Sequence, residues 1–164
     1  MTKDELFTLI SRFANRPLPA MNGRHVYLWH GPWEMLKEAV PTGLLVSLDL
    51  HCLAATLSRA PRTRDEGGRL LRRAIQTKLD EQLASDSQQV FVVTGCDLFS
   101  RYQVSLNPFF QLASEKRMII LVVPVAETNF QPSSPLPGYV VLDAAASFDY
   151  LHAAVGSTAT ISID

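Results

Sequence analysis

The chain has 164 residues, of which 47% are hydrophobic, and this suits one domain with a single core. Its formal net charge of −1 gives no overall electrostatic reason for it to bind nucleic acid or an anionic membrane. The acidic start and the lack of a long apolar run predict neither a signal peptide nor a membrane-spanning helix, so we expect a cytoplasmic protein.

The first elements are predicted by capping residues and periodicity. Thr2 and Glu5 form a capping-box pattern, and Leu6, Ile10 and Phe13 then continue an apolar stripe at helical spacing. A proline-containing loop follows this helix, and the helix and the loop together make up residues 1–22. Pro32 is then expected at the first position of a short helix, since its missing N–H has no partner there.

Apolar runs that are typical of strands alternate with helical patterns over the rest of the chain. The strand-like runs are residues 25–29, 43–50, 89–95, 118–124, 139–143 and 158–163. The helical patterns are residues 32–40, 51–59, 69–84 and 147–155, with a polar connection at 62–68 and a mixed segment at 96–116 that is broken near Asn107-Pro108.

Most of these strands are apolar throughout, as expected for strands that are buried on both faces. The alternation predicts a three-layer α/β fold, with a mostly parallel five-stranded sheet between helices on both faces. We expect residues 1–164 to form a single α/β domain.

The junction His30-Gly31-Pro32-Trp33 joins the first strand to a helix, where a phosphate-binding loop would lie. Such a loop needs several free N–H groups, a lysine and a hydroxyl that binds the metal ion. Pro32 removes one donor, and Lys37 lies inside the helix without a following Ser or Thr. The candidates for a vestigial nucleotide site are therefore His30, Gly31 and Asp97, without a working P-loop.

Other polar residues follow the strand ends, where ligands bind in open parallel sheets. Asp97 lies three residues beyond the third strand, farther than expected for an acid that binds a metal ion, and capping a helix is the commoner role of such a residue. Asp49, at the end of the second strand, has the same two interpretations: a metal-linked acid or a helix cap. His30 and His51 could approach one another, although they have no metal-ligand spacing. Cys52 and Cys96 are expected to be buried free thiols. No complete catalytic set, metal site or cofactor is predicted.

A basic segment at residues 59–78 is the main candidate for partner binding. It is either a solvated helix face or a surface that docks an acidic protein or DNA phosphate. The loop at 129–138 could also bind a partner or pack back on the domain. The candidate residues are Arg62, Arg64, Arg69, Arg72, Arg73 and Phe130.

The order of segments carries a resemblance to a known family. The segments that carry it are, in chain order, residues 46–50, the arginine-rich helix, the strand ending in Thr94-Gly95, the segment 97–99, the segment 106–113 and the strand 119–123. Together they resemble the small P-loop-like proteins of bacterial BREX phage-defence systems, of the BrxF and BrxB kinds. The resemblance implies a pseudo-ATPase without carried-over catalytic residues, which would bind a PglZ-like phosphatase-fold protein or the large BREX ATPase.

Three hypotheses for the function follow. The first is a non-catalytic adaptor of a BREX-like antiviral defence complex, which acts by protein–protein interaction and could also form a homo-oligomer. The second is a nucleotide-binding switch without hydrolysis. The third is a DNA-binding accessory protein that uses the basic segment.

Overall fold

A computed structural model describes residues 1–20, 24–57, 59–123, 149–156 and 159–162. The strands are β1 (Val26–His30), β2 (Leu45–Asp49), β3 (Gln89–Thr94), β4 (Arg117–Val123) and β5 (Thr160–Ser162). The helices are α1 (Lys3–Asn15), α2 (Trp33–Ala39), α3 (Leu50–Ala55), α4 (Arg64–Leu83), α5 (Asp97–Tyr102), α6 (Asn107–Leu112) and α7 (Asp149–Val155).

All five strands are parallel and lie in the order β2-β3-β4-β1-β5, which confirms the predicted α/β fold with a parallel sheet. The three inner strands are almost fully buried, in agreement with their continuous apolar sequences. The fifth strand is the one predicted at residues 158–163, and it lies at an edge as expected. The run at 139–143 lies outside the described residues.

Helices cover both faces of the sheet and create two separate hydrophobic clusters. One cluster lies under α1 and α2 and includes the strand residues Trp29 and Ile120. The other lies under α3 to α7 and includes Leu28 and Leu121, the immediate neighbours of those two residues on the same strands. This alternation follows from the pleat, because successive side chains of a strand point to opposite faces.

The predicted helix starts are largely correct. Thr2 caps α1 in a complete capping box, in which the N–H of Thr2 donates to Glu5 at 2.7 Å. Pro32 is the N-cap of α2, one position before the predicted one. The break expected near Asn107-Pro108 is the first turn of α6.

The polar connection predicted at residues 62–68 is wrong for its larger part. Thr63 caps α4 by accepting a hydrogen bond from the N–H of Glu66, so the helix includes Gly67 and Gly68. These glycines are typical of a loop in sequence, but here they allow close packing. A Cβ at Gly67 would overlap the ring of Tyr102, and a Cβ at Gly68 would lie 2.7 Å from the Tyr102 carbonyl oxygen.

Candidate functional site: the carboxyl edge of the sheet and the arginine surface

The next described helices after the neighbouring strands β1 and β4 lie on opposite faces of the sheet. After β1 the chain crosses to β2 through α2 on one face, and α7, between β4 and β5, lies on the other face. Such a divergence opens a crevice at the carboxyl ends of the strands, where ligands of open α/β sheets bind. His30 ends β1 beside Val123 of β4 and therefore lies at this crevice.

The connection that follows β1 is short, and a side-chain hydrogen bond holds it in place. Only Gly31 and Pro32 separate His30 from the first residue of α2. The indole N–H of Trp29 donates to the carbonyl oxygen of Pro32 at 3.1 Å, which fixes the turn from below. A P-loop surrounds phosphate with several backbone N–H groups, and a two-residue turn containing proline supplies too few of them.

Asp97 lies away from His30 and Gly31, its proposed partners in a vestigial nucleotide site. β4 separates β3, which leads to Asp97, from β1, which leads to His30. Two strand spacings of about 4.8 Å therefore lie between the ends of these strands. His30 and His51 follow strands that are three spacings apart, or roughly 14 Å. β3 and β4 lie between these two strands, and the approach of the two histidines stays a prediction.

The Asp97 carboxylate forms a buried cluster with His51 and Arg101, which we call the buried triad. One carboxylate oxygen lies 2.8 Å from Nε2 of His51, and the other lies 3.0 Å from Nε of Arg101. All three residues are at most 9% exposed. Burial lowers the pKa of Arg101, and the charge of Asp97 opposes that shift. One oxygen of Asp97 thus has a hydrogen bond with His51, whereas the other has an ion pair with Arg101 that does not meet hydrogen-bond geometry.

The buried triad joins two helices, and a contact from a third helix lies beside it. His51 lies on α3, whereas Asp97 and Arg101 lie one turn apart on α5. Nε of Arg64, on α4, donates to the carbonyl oxygen of Arg101 at 2.6 Å. The expectation that Asp97 caps a helix is wrong, because it is the first residue of α5 and its side chain makes these tertiary contacts instead.

Gly95 makes the close approach of α3 to β3 possible. Its φ of +73° lies in the left-handed region, and a Cβ there would lie 2.7 Å from Cδ2 of His51. Gly95 therefore has a packing role next to the buried triad.

Asp49 has the capping role that was one of its two interpretations. Its carboxylate accepts hydrogen bonds from the N–H groups of His51 and Cys52, at 2.8 and 3.2 Å. The Cys52 thiol also donates to it at 3.3 Å, and this bond, together with the charge of Asp49, raises the pKa of Cys52. Cys52 is exposed, so the prediction of burial is wrong for it, whereas Cys96 is buried as predicted.

The arginine surface is a different kind of candidate site, formed by Arg62, Arg69, Arg72 and Arg73. All four side chains are exposed, and on α4 the consecutive residues Arg72 and Arg73 each lie about one turn after Arg69. Among the described residues, the ion pairs of this segment are Arg59–Glu66 and Lys78–Glu81, so none involves the arginine surface. Four exposed arginines without a direct ion pair among the described residues therefore lie on α4 and just before it, and the charges of Arg62 and Arg69 also lower the pKa of Glu66.

Two of the predicted partner-binding residues differ from this group. Arg64 is exposed, but its contact with the Arg101 carbonyl attaches it to the fold. Phe130 lies outside the described residues.

A groove of about 860 Å³ lies at the opposite, amino end of β1. Its walls carry charges of both signs, including Asp4, Arg12 and Arg24. The ring nitrogens of His25 at its base already bond to the Leu18 carbonyl and the Tyr27 hydroxyl, at 2.8 and 3.0 Å.

Sequence reasoning missed Arg101 and the pairing of His51 with Asp97. The spacing of Asp97 and Arg101, four residues apart on a helix, is a signal for the first contact. The second depends on β2 and β3 being adjacent, which brings the residues after their carboxyl ends together.

Within the described ranges, no group of three or more potential ligands is arranged to hold a metal ion. None of the helices in that part of the chain combines the length and the apolar character that a bilayer crossing requires. Compared with protein-family models, with curated proteins and with solved structures, the chain matches none.

Proposed function

We propose that this chain is a non-catalytic adaptor of a BREX-like phage-defence complex, with a P-loop-NTPase-like core that no longer hydrolyses nucleotide. The observation that carries the proposal is a contrast between two sites. At the carboxyl edge, Asp49 and Asp97 are engaged in internal contacts. On α4 and just before it, the arginine surface is exposed without ion-pair partners among the described residues.

The position of the first strand-to-helix turn supports the P-loop-like part of the proposal. The turn lies at the divergence of β1 and β4, which is where a phosphate loop would bind its ligand. The turn joins a strand to a helix, as a phosphate loop does. It has only two residues, one of them a proline, so it lacks the N–H groups that bind phosphate. Loss of nucleotide hydrolysis is consistent with this combination.

The chemistry of the arginine surface supports an acidic protein as partner. Arginine forms bidentate hydrogen bonds with carboxylates, and three arginines on adjacent turns could bind a row of Asp and Glu side chains. The resemblance to BrxF- and BrxB-like proteins makes a PglZ-like phosphatase-fold protein or the large BREX ATPase the partners to test.

A charge reversal of the arginine surface tests the adaptor function. The variant Arg72→Glu/Arg73→Glu is compared with Arg12→Glu/Arg16→Glu, which changes the net charge equally at the carboxyl end of α1, across the sheet from α4. Each is co-expressed with the candidate partners and captured by affinity. We expect the wild type and the α1 variant to retain the partner and the α4 variant to lose it.

The crevice itself favours a second candidate, a nucleotide-binding switch without hydrolysis, because His30 and Gly31 lie at the divergence of β1 and β4. Calorimetry with ATP, GTP and their diphosphates at millimolar concentration tests it. Binding that is lost in His30→Ala would replace the adaptor proposal with the switch, and no heat of binding would remove the switch.

The arginine surface could also contact DNA phosphate, so duplex DNA is included in the binding experiments. Steeply salt-dependent binding that is lost in Arg72→Glu/Arg73→Glu would favour the DNA-binding function over the adaptor.

A further inference from the structure

One carboxylate holds the segment that precedes α4 against the first turn of that helix. One oxygen of Glu66 accepts a hydrogen bond from the N–H of Arg62 at 2.7 Å, and the other forms an ion pair with Arg59. The N–H of Glu66 in turn donates to the hydroxyl of Thr63, the N-cap, at 3.1 Å. In a capping box the carboxylate would bond to the N–H of the N-cap itself. Here it reaches one residue further and therefore fixes the backbone of Arg62, a member of the arginine surface.

Glu66 lies within the arginine surface. Glu66, Arg69 and Arg73 follow one another at spacings of four residues or fewer, which places them on one face of α4. Arg62 is attached to this face by its bond to Glu66. That bond, together with the charges of Arg59, Arg62 and Arg69, lowers the pKa of Glu66, so the carboxylate stays charged at neutral pH. Only 15% of the Glu66 side chain is exposed.

We propose that Glu66 is a positioning residue of the arginine surface, which holds Arg62 beside Arg69 so that an acidic segment of a partner contacts both guanidinium groups at once. The inference rests on the proposed adaptor function, because it concerns the same surface. Arginine binds carboxylates with paired hydrogen bonds, so a row of Asp and Glu side chains fits the two groups. Glu66 itself repels such a segment, since its own charge is negative.

Charge and position therefore predict opposite effects when Glu66 is removed. Loss of a negative charge makes the surface more positive, and this change alone would strengthen the binding of an acidic segment. Loss of the contacts with Arg59 and Arg62 frees residues 59–63, which must then be ordered again whenever a partner binds. We expect the ordering cost to exceed the gain, because salt and water screen a charge at the surface.

Asp65 supplies a control with the same charge. It lies beside Glu66 in the first turn of α4, is exposed, and belongs to neither of the ion pairs that the structure describes in this segment. Glu66→Ala and Asp65→Ala thus change the net charge equally, but only Glu66→Ala frees Arg62. Binding of a fluorescent poly-L-glutamate peptide to the full chain is measured by anisotropy. We expect Kd to rise by about two- to fivefold in Glu66→Ala and to be unchanged or lower in Asp65→Ala.

A third variant, Glu66→Gln, separates the hydrogen bond from the charge. The glutamine side-chain oxygen can still accept from the N–H of Arg62, although the ion pair with Arg59 is lost. Since Glu66→Gln and Glu66→Ala have the same net charge, we expect the glutamine variant to bind the peptide more tightly than the alanine variant. Circular dichroism of each variant verifies that it is folded.

A double-mutant cycle shows whether Glu66 acts through Arg62. Arg62→Ala should weaken peptide binding in the wild type and have little further effect in Glu66→Ala. Equal losses in the two backgrounds overturn the proposal, and so does binding by Glu66→Ala that is as tight as binding by Asp65→Ala; both results leave the adaptor function standing. A wild type that does not bind the peptide also overturns the proposal, whereas the adaptor function is decided separately by co-purification of its candidate partners.

Discussion

Replacing Asp97 with alanine tests whether the buried triad is a structural element or a functional site. The substitution leaves the Arg101 guanidinium, 9% exposed, without its counter-charge. It also removes the carboxylate bound to Nε2 of His51. Breaking one partner of a buried ion pair costs about 3–5 kcal/mol. For a domain of this size, that loss lowers Tm by roughly 6–20 °C.

A double-mutant cycle separates the ion pair from other effects of the substitution. Arg101→Met removes the buried charge and keeps most of the side-chain volume, so it should partly compensate for Asp97→Ala. We therefore expect the double variant to be more stable than Asp97→Ala alone, although it carries one more substitution. Urea unfolding, followed by fluorescence and circular dichroism, gives the four free energies of unfolding.

The surface pair of Asp86 and Lys116 supplies the control. Its carboxylate lies 2.9 Å from the ammonium but is 92% exposed, so Asp86→Ala should cost at most about 1 kcal/mol. The structural interpretation would be refuted if Asp97→Ala were as stable as Asp86→Ala. It would also be refuted if Arg101→Met gave no compensation.

Three further predictions concern individual contacts. Gly68→Ala should destabilise the protein by about 1–3 kcal/mol in urea unfolding, despite a gain of about 1 kcal/mol in helix propensity, because its Cβ would lie 2.7 Å from the Tyr102 carbonyl oxygen. Burial lowers the pKa of His25, so the unfolded chain binds more protons than the folded protein near pH 6.5. The free energy of unfolding should therefore be highest above that pH and fall as the pH decreases. In His25→Gln the free energy of unfolding should depend less steeply on pH. Asp49→Asn removes the charge that raises the pKa of Cys52 but retains a capping side chain, so the thiol should react faster with a disulfide reagent at mildly alkaline pH.

Each of these predictions has an internal comparison. Gly43→Ala introduces a Cβ with no atom within 4 Å, and it should leave the free energy of unfolding nearly unchanged. Equal losses for both glycine variants would contradict the packing argument. Cys96 is buried and should stay unreactive in the folded protein. If Cys96 were modified before the protein unfolds, the reaction rate would report transient opening of the fold and not the pKa of Cys52. An unchanged pH slope in His25→Gln would contradict the role given to His25.

The elements of the fold could be predicted where local physical chemistry determines them. The capping box at Thr2 and Glu5 depends on contacts within one turn, and the structure confirms it. The apolar run of β4 predicts a buried inner strand for the same reason, since each of its residues must be covered on both faces. The strand order has no such local signal, because it depends on which strands the crossovers bring together.

The candidate site could be predicted only in part, because its contacts join distant segments. The role of Asp97 depends on His51, which is 46 positions away in sequence. Gly67 and Gly68 are typical of a loop until Tyr102 is placed against them. Cys52 follows an apolar strand, but the first turn of α3 directs it outward. In each case a tertiary contact determined the outcome.

Co-purification of the partner with charge-reversed variants tests the adaptor function most directly. The full chain is co-expressed with a PglZ-like phosphatase-fold protein and with the large BREX ATPase, and the recovered complex is quantified for the wild type and for both double reversals. If the chain is an adaptor, Arg72→Glu/Arg73→Glu abolishes recovery, whereas Arg12→Glu/Arg16→Glu leaves it unchanged. Recovery of neither partner by the wild type, or equal recovery by the wild type and the α4 variant, would contradict the adaptor function.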